Sequence, residues 1–373
     1  MRIHGGFGWI SGALLLAGWS VTAGAVVVGP PNCNEAGLDS ALASVDAAGG
    51  GTITFNCGTA TITFSNYKPI AKAVVVDGGG RITFDGNNGS AFFQAYASAS
   101  LTLKGLTLQH GKFASSHALE SFGTLVLDHV VVRDNVSGGP AVASSGTLSV
   151  IASTFSGNAN TAASPNGNGG AILNNGGTLG VVASTFAGNS ASGNGGAVYS
   201  NSSMRIVNST FTANSTTGAG SGGGAIYQQG DGGEIIHATI AGNTGMVFGG
   251  GIYSSGTTII SRSIIADNTN GNCDGASTSG GYNVWAGTTQ CPFAQPGDGA
   301  GNPVLGALAA NGGPTQTRLP GAGSAALNRI PVAQCPIRVD QRGGGRPSGA
   351  GCDSGAVEVG ATLDVIFQSG FDF

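Results

Sequence analysis

One phrase recurs along the middle of this chain and fixes what it can fold into. Ser153-Thr154-Phe155-Ser156-Gly157-Asn158 returns as Ser184-Thr185-Phe186-Ala187-Gly188-Asn189 and again as Ser209-Thr210-Phe211-Thr212-Ala213-Asn214. Looser copies end at Asn243 and Asn268, and Val132-Arg133-Asp134-Asn135 is an earlier one. The terminal Asn residues stand 23, 31, 25, 29 and 25 residues apart. A repeat of that length is one supersecondary unit that cannot bury a core alone and must stack on its neighbours.

Each unit has the same internal order. A short apolar strand ends in Phe-x-x-Asn, a Gly/Ser/Asn loop follows, and Gly-Gly-Ala-Ile opens the next strand, as at Gly169–Ile172, Gly195–Val198 and Gly223–Ile226, with Gly250-Gly251-Ile252 as the fourth. A further strand such as Thr178–Val182 or Met204–Val207 completes the cycle. Three short strands fill the repeat and leave no room for a helix. The predicted fold is therefore all-β, a single-stranded parallel β-helix (a solenoid), each strand bonded to its equivalents above and below. Phe155, Phe186, Phe211, Ile240 and Ile265 are expected to form an internal apolar column. Asn135, Asn158, Asn189, Asn214, Asn243 and Asn268 are expected to form a ladder at a bend, because an amide side chain bonds both to local backbone and to the next amide. The paired Gly residues suit an opposite sharp corner. A ladder accounts for all six Asn residues without a ligand.

Composition agrees. Gly supplies 69 of 373 residues without a Gly-X-Y period, which excludes collagen, and 40% apolar residues argue against disorder. Only 9% of residues are charged, and no basic cluster interleaved with aromatics speaks for nucleic acid. Met1 to Ala25 reads as a secretory signal: a polar start at Arg2 and His4, an apolar run from Phe7 to Trp19, and Ala23-Gly24-Ala25 before the cut. A retained membrane anchor is the competing reading, but no stretch reaches the ~18 apolar residues of a spanning helix. The mature chain is then exported and carries 13 basic and 18 acidic residues.

Six Cys follow the leader: Cys33, Cys57, Cys273, Cys291, Cys335 and Cys352. Their even number in an exported chain argues for disulfides, and three local pairs separated by 24, 18 and 17 residues are the economical choice. Zinc is the alternative, but no CxxC or His-x-x-x-His accompanies them. The pairs bracket the repeats. The chain divides accordingly into a leader (1–25), an N-terminal cap and first coils (26–104), the repeat array (105–270), C-terminal coils and cap (271–360) and a tail (361–373). Glu35, Leu38, Ala41, Leu42 and Val45 lie at helical spacing and predict a short capping helix within 34–48, which would shield the open end of the solenoid.

Phe-x-x-Asn alternating with Gly-Gly-Ala-Ile resembles the repeat of polymorphic outer membrane proteins. Asn302–Gly306, Asn311–Thr315, Cys335-Pro336, Asp340–Gly343, Arg346-Pro347, Cys352-Asp353 and Gly355–Glu358 together resemble the C-terminal module of bacterial choice-of-anchor Q domain proteins. The resemblance covers roughly 30 to 360. It implies a right-handed β-helix with a disulfide-containing C-terminal cap, displayed at or released from the surface of a Gram-negative bacterium, and it implies no established activity. The segment after Glu358 is too short for the translocating barrel that many such proteins carry. Its Ile366–Phe371 run resembles short tails of some proteobacterial secreted proteins.

Parallel β-helices often cleave acidic polysaccharides. A lyase needs a calcium-holding carboxylate cluster with a nearby Arg or Lys base, and a hydrolase needs carboxylates facing one groove. Carboxylates do not recur at the repeat period here. Asp231, Glu234, His237 and Arg262 are the best constellation, read as ordinary surface charges. His110, His117 and His129 lack metal-ligand spacing, Asp128 and Asp134 lie within one coil, and Asp340-Gln341-Arg342 reads as a structural tie. No catalytic, cofactor-binding or metal-ligating residue is assigned. The expected role is non-enzymatic and adhesin-like, contacting glycans or surface proteins. The alternative is a polysaccharide lyase or glycoside hydrolase on the same fold.

Overall fold

Strands of three to five residues separated by sharp turns give each coil three inward rows of side chains, and coils bury those rows by stacking. In the computed structural model, which describes residues 24–112, 117–163, 166–287 and 291–363, the chain winds into a parallel β-solenoid of about ten turns. The first face contains Leu119–Ser121, Val142–Ser144, Ile172–Asn174, Val198–Ser200 and Ile226–Gln228, paired in register. The second contains Thr124–Asp128, Thr147–Ile151, Thr178–Val182, Met204–Val207 and Gly233–Ile236. The third contains Val131–Arg133, Thr154–Ser156, Thr185–Ala187, Thr210–Thr212, Thr239–Ala241 and Ile264–Ala266. A further row, unforeseen in the sequence, runs through the loops: Val136–Ser137, Ala159–Asn160, Ser190–Ala191 and Ser215–Thr216 form their own parallel ladder just after the Asn bend.

The core is one continuous apolar column set. Phe155 and Phe186 stack with ring centres 4.7 Å apart, and Phe186 and Phe211 follow at 4.6 Å, their planes nearly parallel. Ile240, Ile265 and Trp285 continue the row. Flat rings at coil spacing give face-to-face contact that a branched side chain cannot, which explains why Phe recurs in successive coils.

The residue before each ladder Asn adopts a left-handed conformation in six coils: Asp134, Gly157, Gly188, Ala213, Gly242 and Asp267. The Gly-Gly pair does not form an opposite corner. It closes the far end of the same connection, leading from the third face into the first. Gly169, Gly195, Gly223 and Gly249 have positive φ. The second Gly of each pair is needed for space, since a Cβ on Gly170, Gly196 or Gly224 would collide with the carbonyl oxygen of Gly196, Gly224 or Gly250 in the next coil.

The helix Glu35–Ala47 starts at Asn34, whose side chain accepts from the Gly37 N–H at 3.0 Å. It turns Leu38, Ala41 and Val45 onto the first strands. Glu35, one turn before Leu38, pairs with the nearly buried Lys68 at 2.6 Å. Disulfides join Cys33–Cys57, Cys273–Cys291 and Cys335–Cys352. The leader lies outside the described residues except for Gly24 and Ala25, and the tail lies outside them from 364 onward.

Candidate functional site

The conspicuous polar residues of the repeat face inward. Each ladder Asn is fully buried except Asn268, at 9% exposure. The Nδ2 and backbone N–H of each donate to the Oδ1 of the next, with Nδ2 to Oδ1 distances of 2.8–2.9 Å from Asn135 to Asn268. The second Nδ2 hydrogen goes to a core-strand carbonyl: Asn189 to Phe155, Asn214 to Phe186, Asn243 to Phe211. Gly111 N–H begins the ladder on Asn135, and Asn272 ends it, taking both donors of Asn268. The first residue of the repeated phrase makes a second ladder. Ser153 N–H donates to Ser184 Oγ, Ser184 N–H to Ser209 Oγ, Ala238 N–H to Ser263 Oγ, and Ser263 N–H to Asn283 Oδ1. Its signal was the Ser in the phrase itself, but only coil register shows that the hydroxyl turns into the corner.

The C-terminal block does more than close the end of the rod. It lies back along the third face and buries the outward Thr column. Gln341, fully buried, donates to Thr185 Oγ1 and Thr315 Oγ1 at 2.9 Å and accepts from Thr210 Oγ1 at 2.6 Å. Thr315 Oγ1 donates to the Ala183 carbonyl, Asn208 Nδ2 to Val339, and Ala356 N–H to Thr239 Oγ1. Inside the block, Asp340 accepts from Arg342 Nη2 at 2.8 Å and from the Arg342, Gly344 and Glu358 N–H groups. Glu358 binds Arg346 at 3.1 Å and the Ser348 and Asp353 N–H groups. Burial raises Asp353 and Glu358 and lowers Arg346, against their mutual attraction. These carboxylates cap backbone donors in a segment short of regular strands, which is a structural task.

The constellation of Asp231, Glu234, His237 and Arg262 does not assemble. Asp231 is exposed and accepts from Thr257 N–H and Oγ1. Glu234 pairs with Arg205 of the preceding coil at 2.7 Å. Arg262 Nε donates to the Gln334 carbonyl. His237 sits at a left-handed corner, fully buried beneath the C-terminal block, and neither ring nitrogen makes a hydrogen bond of good geometry among the described residues, although the Gly355 and Asp353 backbone lies close by. Burial, then the charges of Arg346 and Arg262, hold its pKa well below the ordinary value, with only partial opposition from the Gly355 and Asp353 backbone. His117 is largely buried, and burial lowers it too, against the attraction of Glu120.

Two of the remaining histidines are oriented by carboxylates on the outside of the rod. His129 Nδ1 lies 2.6 Å from Asp128, and His110 Nδ1 lies 3.1 Å from Asp85. Asp85, Gln109 and Arg133 form a strip across three coils, Gln109 bridging to Asp85 at 2.7 Å and receiving Arg133 on its other side. Partial burial opposes ionisation of Asp85, but Gln109, Asn87 and His110 outweigh it and lower its pKa. His129, Val130, Val131, Ala152 and Thr154 line a cavity of about 340 Å³ whose far wall is Gly313-Pro314 of the C-terminal block. An imidazole aligned by a carboxylate there can bind a hydroxyl or exchange a proton. Among the described residues no group of three His, Cys, Asp or Glu side chains is placed to hold a metal ion.

Comparison with known proteins returned no match: no family model fits the chain, and no curated protein or solved structure is significantly similar to it.

Proposed function

We propose that this chain is an exported, disulfide-stapled rod that works by contact, with extracellular glycans or surface proteins as partners, in the manner of choice-of-anchor Q proteins bearing polymorphic outer membrane protein-like repeats. The observation that carries the reading is the way its outward carboxylates are used. Asp85, Asp128, Asp231 and Glu234 are each engaged by a separate neighbour on their own or an adjoining coil rather than converging on one groove. That leaves a rigid, mostly uncharged array of hydroxyl and amide groups, suited to many weak contacts along a polymer. Three disulfides support an oxidising compartment, and no helix among the described residues is long and apolar enough to cross a membrane.

The test is a glycan array probed with the purified chain, alongside incubation with uronate and neutral polysaccharides followed by analysis of chain length. Binding without depolymerisation is expected. The Asp128–His129 pair in its cavity favours the second reading, a polysaccharide lyase or hydrolase. Chain cleavage that disappears in His129→Ala would install that reading and refute the first.

A further inference from the structure

The tyrosine row on the first face ends beside an exposed carboxylate. Tyr199, Tyr227 and Tyr253 occupy equivalent outward positions in successive coils and stack at 5.3 and 4.9 Å. In the next coil the equivalent position holds Asp274. Tyr227 covers one face of Tyr253, and the other face is turned toward the level of the carboxylate. Phe248 flanks Tyr253 at 5.6 Å with its ring tilted by 47°. The backbone just after Phe248 passes so close to Asp274 that a Cβ on Gly249 would lie 3.3 Å from the Asp274 Cβ.

The corner is exposed and held in place. Phe248 is 43% exposed, and Met246 and Val247 beside it are 47% and 48% exposed, forming an apolar rim on a surface otherwise rich in small polar residues. Asn270 Nδ2 ties down the Gly245 and Met246 carbonyls at 2.7 and 3.1 Å, and Val247 N–H donates to Ser221 at 3.0 Å. Asp274 is exposed, accepts from the Gly275 N–H at 2.7 Å, and joins no ion pair among the described residues.

Two aromatic rings packed on each other beside an exposed carboxylate that joins no ion pair among the described residues form a surface complementary to a cation with an apolar skin. We propose that Phe248, Tyr253 and Asp274 form a binding site for an organic ammonium group, either the protonated amine of a deacetylated amino sugar or a quaternary ammonium. The amino-sugar form rests on the glycan-contact reading above; the quaternary form does not. A bare metal ion would leave the rings unused, and a neutral sugar would leave the carboxylate unused.

The test titrates the purified chain with glucosamine oligomers, with their N-acetylated counterparts, and with choline, following binding calorimetrically. Saturable binding of glucosamine oligomers or of choline is expected, with N-acetylated oligomers at least about fivefold weaker. Asp274→Asn and Phe248→Ala are each expected to weaken ammonium binding by about five- to tenfold with an unchanged circular dichroism spectrum. The proposal is overturned if neither ammonium probe binds, or if both variants bind as the parent does. The glycan-contact reading fails separately, on a blank array. Choline binding that both substitutions weaken would sustain the site even then.

Discussion

Replacing Asn214 with alanine cuts one rung out of the buried ladder, and the cost can be worked from its partners. Asn214 Oδ1 accepts from the Asn189 N–H and Nδ2 at 3.0 and 2.9 Å, and its Nδ2 donates to Phe186 O and Asn243 Oδ1, both at 2.9 Å. Asn243 Oδ1 retains the Asn214 backbone N–H. Three groups are stranded: two donors of Asn189 and the Phe186 carbonyl, in a site with no solvent exposure. At about 1–3 kcal/mol for each buried unpaired group, and allowing for a water in the vacated space, the expected loss is about 3–5 kcal/mol. Asn214→Asp is expected to do no better, since it sets an oxygen against the Phe186 carbonyl. Urea unfolding followed by far-UV circular dichroism measures the loss. Hydrogen exchange localises it to the coils carrying Asn189 and Asn243, because coupling in a stacked rod runs mainly between neighbours. The exposed Asn175, bonded to Asn201 on the surface, is the control, and its alanine variant should stay within about 0.5 kcal/mol of the parent. A loss below about 1 kcal/mol for Asn214→Ala, or one equal to the control, would refute the ladder as a source of stability.

Phe186→Ala removes the middle ring of the stack and is expected to cost about 3–5 kcal/mol by the same unfolding assay, with Phe186→Leu milder. His237 has a depressed folded-state pKa, so the unfolded chain binds the extra proton first. The stability that depends on its neutral form is complete above about pH 6.5 and declines as the pH falls below it. Limited proteolysis of the C-terminal block should therefore quicken between pH 7 and pH 5, and His237→Asn should flatten that dependence; an unchanged pH profile in the variant would exclude His237 as its source. Glu35 shows the acid-side case. Partial burial raises its pKa, but Lys68, Ser65 and Asn66 outweigh this and bring it to about 2. Its contribution is complete above about pH 4.5 and disappears as the pH falls through about 2, at most about 1–2 kcal/mol after solvent screening. Glu35→Gln should lower the unfolding midpoint at pH 7 and leave it nearly unchanged at pH 2.

Much of what repeats in this molecule could be read from its sequence, and contacts between segments far apart in the chain could not. Phe155, Phe186 and Phe211 share one column because their spacing is that of the coils, and the Gly pairs fall where backbones approach too closely for a Cβ. Seeing the Ser ladder required the pairing register, since Ser153 and Ser184 look like ordinary turn residues until both hydroxyls are placed in one corner. The contacts of Gln341 with Thr210 and Thr185 span 131 and 156 residues, and no periodicity announces them. His237 looked like a surface histidine because the segment that covers it lies about a hundred residues further on. The alignment of Tyr199, Tyr227 and Tyr253 with Asp274 appeared only with the register of the coils.

The C-terminal block laid along the third face has a consequence for how such a rod changes length. Its contacts reach from Ala183 to Tyr282, so it acts as a ruler against the coils it spans. Inserting or deleting one coil within that interval would shift every later contact by about 4.8 Å and misalign the whole clasp. The coils before Leu119, which the contacts of the block do not reach among the described residues, can gain or lose a turn without disturbing it. Growth and shortening of this protein are thus expected on the N-terminal side, with the clasped coils kept at a constant number.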